Sequence, residues 1–260
     1  MKNLTQLTFA AAILLGSVFS GITGASAASS DNLKGKTVVL VHGAFADGSS
    51  WNKVIPLLEA KGLKVVAVQN PLSSLNDDVA ATRNAIDQQT GPVVLVGHSW
   101  AGVVITQAGA NDKVKALVYV AAFAPDRGQS IQDMLQGLPA PSWASALTKD
   151  AGGYLRLSTD ATIHQFAQDV PESEARLIAA TQGVWAEQCS SQKVTEAAWH
   201  NKPTWDIVTT SDRMIPPDLQ DRMAKAMGAR TTRVSASHVV MLSHPQEVAD
   251  TILAAAEAAH

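Results

Sequence analysis

PVVLVGHSWAG, residues 92–102, decides how this chain folds. PVVLV, at 92–96, is an apolar run rich in β-branched residues, the pattern of a strand buried on both faces. A helical pattern starts at Ala101 with no loop between. The serine between them, Ser99, must sit on a tight strand-to-helix turn that pushes its hydroxyl out above the sheet edge. Such a turn needs small residues two places before and after the serine, and Gly97 and Ala101 occupy them. A methyl at 101 is accommodated, and Gly102 leaves room for close helix packing.

Working outward, five more runs resemble the first: TVVLV at 37–41, KVVAV at 64–68, KALVYVAAF at 115–123, WDIVTT at 205–210 and RTTRVS at 230–235. Helical patterns alternate with them. Trp51 to Lys61 ends at Gly62; a second opens with Asn76 as cap and runs to about Gln89; a third covers Ala101 to about Ala110. Asp218 to Met227 ends at Gly228, and Gln246 to Ala258 follows Pro245. Strand–helix alternation means right-handed βαβ units and a doubly wound, mostly parallel six-stranded α/β sheet. Residues 127–200 break the rhythm with Gly137, Pro139, Pro141 and Gly152-Gly153, then helical stretches around 161–169 and 172–182. They predict a helical cap inserted between the fourth and fifth strands.

A serine raised this way attacks carbonyl carbon, and the attack creates an oxyanion that preorganised backbone N–H groups must hold. The amide of Trp100, at a helix N-terminus, is one candidate. VHGAFADG at 41–48 leaves the first strand, and its His-Gly turn presents the Ala44 amide as the other. The base and its orienting acid follow in the order Ser…Asp…His, each after a strand. Asp212, in TSDRMIP, comes after the fifth strand and His238, in SASH, after the sixth. Asp126, in APD after the fourth strand, is an alternative acid. His98 is expected to point into the packing and His244 to cap a helix. His42, His164 and His200 lack acid partners at telling spacing and are expected to be structural.

With 260 residues, 46% hydrophobic, and a net charge of −3, the chain can bury a core without disulfides or metals. Mild acidity and the absence of Lys/Arg runs argue against nucleic acid or an anionic membrane surface as partner. The single cysteine, Cys189, lies in a polar stretch without a glycine turn and reads as an ordinary thiol. No metal-ligand spacing and no dinucleotide fingerprint appears, so no metal and no cofactor is implied. Lys2, the apolar stretch from Leu7 to Phe19 and Ala25-Ser26-Ala27 predict a secretory signal peptide, 1–27, cleaved after Ala27. The apolar run is too short to span a bilayer, so the mature domain, 28–260, is expected to be secreted or periplasmic, with no stable membrane association.

VHGAFADGSSW at 41–51, YVAAFAPD at 119–126, TSDRMIPPDLQ at 210–220 and SHVVMLSHPQEVA at 237–249 resemble the α/β-hydrolase superfamily. The closest likeness is to the branch of plant methylesterases, hydroxynitrile lyases and bacterial esterase relatives. That resemblance implies a serine carboxylesterase acting on a small to medium apolar ester, with Ser99, Asp212 and His238 as triad. Lyases of the branch carry threonine and lysine where this chain has Gly43 and Val239, as the esterases do. Lactone, amide or carbon–carbon hydrolysis on the same triad, or a ligand receptor with vestigial turnover, remain rival readings. Phe45, Trp143, Trp185 and Val239 are expected to line an apolar pocket, with Tyr154 and Phe166 as further cap aromatics.

Overall fold

The computed structural model describes Met1 and residues 33–259. The expected leader, apart from Met1, lies outside the described residues. All six apolar runs form strands of one sheet. In chain order the strands are β1 (Thr37–Val41), β2 (Lys64–Val68), β3 (Val93–His98) and β4 (Val114–Val120), then β5 (Leu147–Lys149), β6 (Tyr154–Leu157) and β7 (Trp185–Ala186) in the insertion, and finally β8 (Thr204–Thr209) and β9 (Arg230–Val234). The large sheet runs β2-β1-β3-β4-β8-β9, and every pairing in it is parallel. Burial follows from that order. β1, β3 and β8 are buried at every residue, whereas the edge strands β2 and β9 are mostly half-buried or exposed. Central strands are covered by helices on both faces, so the runs of β1 and β3 carry no polar alternation, while β8 buries Asp206 among apolar neighbours.

The order also explains where a site can form. From β1 the chain moves outward to β2, then returns to β3 on the other side of β1. Loops leaving the C-terminal ends of β1 and β3 therefore diverge and leave a crevice at this switch point. Val41 pairs with Gly97 and His98 with Val120, which brings the ends of β1, β3 and β4 level there.

The helices are α1 (Ile55–Glu59), α2 (Leu75–Asp87), α3 (Ala101–Ala108), α4 (Ile131–Leu135), α5 (Glu172–Thr181), α6 (Pro217–Met227), α7 (Val240–Ser243) and α8 (Pro245–Ala258). Two expectations are corrected. The helix expected over Trp51 to Lys61 is a 3₁₀ turn, Gly48–Trp51, followed by α1 alone. Pro56 has no N–H and restricts Ile55, so a new helix starts where Pro56 falls in its first turn. The cap of α2 is Ser74, not Asn76: its hydroxyl accepts from the Asp77 amide at 3.1 Å.

The insertion also differs from an all-helical cap. β5, β6 and β7 form a three-stranded antiparallel sheet. Its first hairpin turns on Asp150, whose carboxylate accepts from the amides of Gly152 and Tyr154 at 2.8 and 2.9 Å. The helix expected around 161–169 is a single turn, Thr159–Ala161, running into a π-turn, Thr162–Phe166. Among the described residues no helix is long and apolar enough to cross a membrane.

Candidate active site

Ser99 follows the last residue of β3 and precedes α3, and its backbone lies at φ 55°. A side-chain-bearing residue avoids that left-handed region unless its surroundings enforce it. Here the enforcement is visible. The Ser99 amide donates to Val120 at 3.2 Å, and its carbonyl accepts from Gly102 and Phe123 at 3.0 and 3.2 Å. The elbow is tight enough that a Cβ at Gly97 would stand 2.7 Å from the Ala101 carbonyl oxygen. A Cβ at Gly43 would come within 2.8 Å of the Ser99 Cβ, so the loop leaving β1 presses directly on the serine.

The hydroxyl so presented meets His238 Nε2 at 2.8 Å, and His238 Nδ1 meets Asp212 Oδ2 at 2.8 Å. The His238 and Asp212 side chains are 1% and 0% exposed. A carboxylate only accepts, so Nδ1 carries the proton and Nε2 is left to accept from the Ser99 hydroxyl. Four further donors replace the water that Asp212 has lost. Met214 and Ile215 donate backbone N–H to Oδ1 at 2.7 and 3.1 Å, and Thr209 Oγ1 and Gln220 Nε2 donate to Oδ2 at 2.9 and 2.8 Å. The sequence did not point to Thr209 or Gln220. Gln220 is one polar residue on the buried face of α6, and nothing in its own neighbourhood marks it.

The alternative acid is elsewhere. Asp126 Oδ1 contacts His200 Nε2 at 2.8 Å in an exposed pair, so His200, expected to lack an acid partner, has one. His164 likewise has Asp160 at 3.5 Å, one helical turn away and exposed. His98 does turn into the packing. Its Nε2–H donates to the His238 carbonyl at 2.9 Å, and its ring lies 4.7 Å from the His238 ring. Burial, and then the neighbouring His238, hold the His98 pKa well below the usual histidine range. His244 occupies the N-cap position of α8, as expected, but makes no side-chain cap bond; its Nδ1 meets Ser243 Oγ at 3.0 Å. Burial pushes the Cys189 thiol up to about 12, which keeps it protonated and unreactive.

Over Ser99 lies a cavity of about 50 Å³, lined by Ala44, Phe45, Trp100, Trp143, Trp185 and His238 among others. That volume holds roughly three or four waters. Phe123, Ile131, Leu135, Phe166, Met214 and Ile215 complete its wall. Met214 and Ile215 follow Asp212 directly, a signal the sequence reading could have used. Trp185 packs against Phe45 and Trp100 with ring centroids at 6.0 and 5.5 Å. Trp100 is anchored in turn: its indole N–H donates at 2.7 Å to Asp78, a fully buried carboxylate on α2. Val239 is a correction. It lines a separate cavity of about 210 Å³ between the 3₁₀ turn after β1, α5 and α7, with Phe166 as the wall shared with the first. Tyr154 lines a surface cleft with Gly152, Gly153 and Glu187 and takes no part in the Ser99 cavity.

Comparison with known proteins agrees with this fold. The profile of the Alpha/beta hydrolase family matches residues 38–251. Methylesterase 8 of Arabidopsis thaliana is 26% identical over 255 residues, covering 88% of this chain and 92% of the relative. Salicylic acid-binding protein 2 of Nicotiana tabacum is 27% identical over 252 residues, covering 85% and 96%. Among solved structures, an extracellular α/β-hydrolase from a Paenibacillus species superposes with a TM-score of 0.73 at 20% identity, over 84% of this chain and 98% of that one. A pyrethroid hydrolase from Sphingobium faniae superposes at 0.70 and 20% identity, over 85% and 97%. With its strand order, its elbow serine and a profile match over most of its length, the chain belongs to the α/β-hydrolase family.

Proposed function

We propose that this protein is a carboxylic ester hydrolase that works through an acyl-enzyme on Ser99. One observation carries the reading: an unbroken relay from the Ser99 hydroxyl through His238 to Asp212, both links 2.8 Å, ending on an otherwise solvated-out carboxylate. Ser99 Oγ adds to the ester carbonyl while its proton passes to His238 Nε2. The imidazolium gives that proton to the departing alkoxide as the C–O bond breaks. Water then repeats the sequence on the acyl-enzyme and releases the acid. The oxyanion of each tetrahedral intermediate is held by the amides of Ala44 and Trp100, which flank Ser99 in the same cavity. Phe45, Trp143 and Trp185 give that cavity an apolar wall suited to a small-molecule ester.

The relatives support this reading, since several carry the name methylesterase. One relative is named alpha-hydroxynitrile lyase. The lysine that the resemblance places after the histidine in lyases of this branch is absent here, where the residue after His238 is the apolar, buried Val239. The reading extends to compartment: the leader at 1–27 directs export, and the working enzyme starts at Ala28. Steady-state hydrolysis of a small aryl acetate tests the activity. Wild type turns over continuously, and Ser99→Ala loses at least about 10⁴-fold in kcat. A single stoichiometric burst without turnover would instead mark a receptor that uses the fold for binding.

A further inference from the structure

The loop after β1 contains a histidine that the relay does not use. His42 is 2% exposed, and its hydrogen bonds go to Gly43 and Asn70 and not to Ser99, His238 or Asp212. Its ring is nonetheless committed at both nitrogens. The backbone amide of Asn70 donates to His42 Nε2 at 2.9 Å, so Nε2 carries no proton and Nδ1 must. His42 Nδ1–H then donates to the Gly43 carbonyl at 2.9 Å. The Asn70 side-chain amide closes the arrangement by donating to the His42 carbonyl at 3.0 Å. Burial lowers the pKa of His42, which keeps the ring in this neutral tautomer.

The consequence lies in the next atom pair along the chain. The Gly43 carbonyl and the Ala44 N–H belong to one planar trans peptide and point in opposite directions. Whatever fixes the carbonyl fixes the N–H. Gly43 itself has no side chain to restrain that plane, and its Cα passes close enough to Ser99 that it can carry none.

We propose that His42 is a positioning residue for the oxyanion site: by holding the Gly43 carbonyl, it turns the Ala44 N–H toward Ser99. The role rests on the acyl-enzyme reading above, in which that amide meets the developing oxyanion. A donor aimed before the reaction costs nothing to reorganise during it, so loss of the aim lowers kcat and leaves substrate binding nearly intact.

Two substitutions separate the two ring nitrogens. In His42→Asn the amide nitrogen takes the place of Nδ1 and keeps a donor for Gly43, but nothing meets Asn70. In His42→Gln the terminal amide reaches the place of Nε2, so Asn70 is served and Gly43 is not. Each variant gives up one buried hydrogen bond, so their thermal midpoints fall by similar amounts. Their kcat values on an aryl acetate do not fall alike. His42→Gln loses about 10- to 10²-fold, bounded by the 10²–10³-fold cost of deleting an oxyanion donor outright, while His42→Asn stays within about threefold. KM stays within about threefold in both. If His42→Gln does not fold, His42→Phe fills the same volume without a donor and shows the same loss.

Ala44→Pro, which has no N–H, tests the underlying reading separately. Undiminished kcat in folded Ala44→Pro means that this amide stabilises no oxyanion, and the reading and the role of His42 fall together. A crippled Ala44→Pro beside His42→Asn and His42→Gln variants that match each other in kcat overturns the role of His42 alone.

Discussion

Asp78→Asn probes the network that holds Trp100, and its effect depends on pH in a way the structure specifies. The Asp78 side chain is fully buried, with Oδ1 accepting from the Leu72 amide at 2.7 Å and Oδ2 from the Trp100 indole at 2.7 Å. Burial outweighs both bonds and pushes the carboxyl up from 3.8 to about 6. An acid whose pKa is raised by folding stabilises the fold when protonated and loses that contribution as pH rises. The contribution is full below about 3.8, declines between about 4 and 6, and is gone above. Two units correspond to roughly 3 kcal/mol of penalty for the ionised group at pH 8, falling to about half of that at pH 5. Asparagine cannot ionise, so it escapes the penalty, but its amide nitrogen faces one of the two donors, at a cost of about 1–3 kcal/mol. The two effects nearly cancel at pH 8. At pH 5 the wild type has regained about 1.5 kcal/mol that the variant never lost. Thermal unfolding of both proteins at the two pH values reads this directly, because titrations of His98 and the surface groups are common to both. The variant falls behind by roughly 3–6 °C more at pH 5 than at pH 8. A difference in midpoint that does not change with pH refutes a buried, titrating Asp78.

Other outcomes follow from the same geometry. Asp212→Asn keeps the shape of the acid but lets His238 take the wrong tautomer, and kcat drops by about 10⁴-fold. Asp126→Asn perturbs only exposed contacts, with His200 and with the Arg127 amide, and both kcat and stability stay within about 1 kcal/mol of wild type. Gly43→Ala would put a methyl 2.8 Å from the Ser99 Cβ and 2.9 Å from the His98 carbonyl oxygen, so the loop must retreat. A shift near 1 Å there lowers kcat by about 10²-fold or more with the Asp212 relay intact. Intact-mass measurement of exported protein gives a chain beginning at Ala28; material that retains Met1 contradicts the leader reading.

The sheet was legible because the central strands are written redundantly. TVVLV and PVVLV, and the run from Ala116 to Val120, are buried on both faces and almost wholly apolar. The elbow was legible because its chemistry is local: strand, small residue, serine, helix. Asp212 and His238 could be placed because each directly follows a strand. Contacts made across long loops were not legible. Nothing near His200 announces Asp126, 74 residues away, and nothing near Trp100 announces Asp78. The cap's helix at Glu172–Thr181 is legible, but its small sheet is not, because those strands are only two to four residues long, too short to show a period of two. Val239 lines the second cavity and not the one over Ser99, because adjacency to His238 fixes a backbone position and not the cavity a side chain faces.

In the proposed reaction Ser99 is the nucleophile and His238 activates it. A fluorophosphonate probe reacts only with an activated serine, so peptide mapping after labelling reads both parts at once. The expected result is one probe per chain, located on Ser99, with labelling abolished in Ser99→Ala and slowed by orders of magnitude in His238→Ala. Stoichiometric labelling of a different serine, or undiminished labelling of Ser99 in His238→Ala, contradicts it.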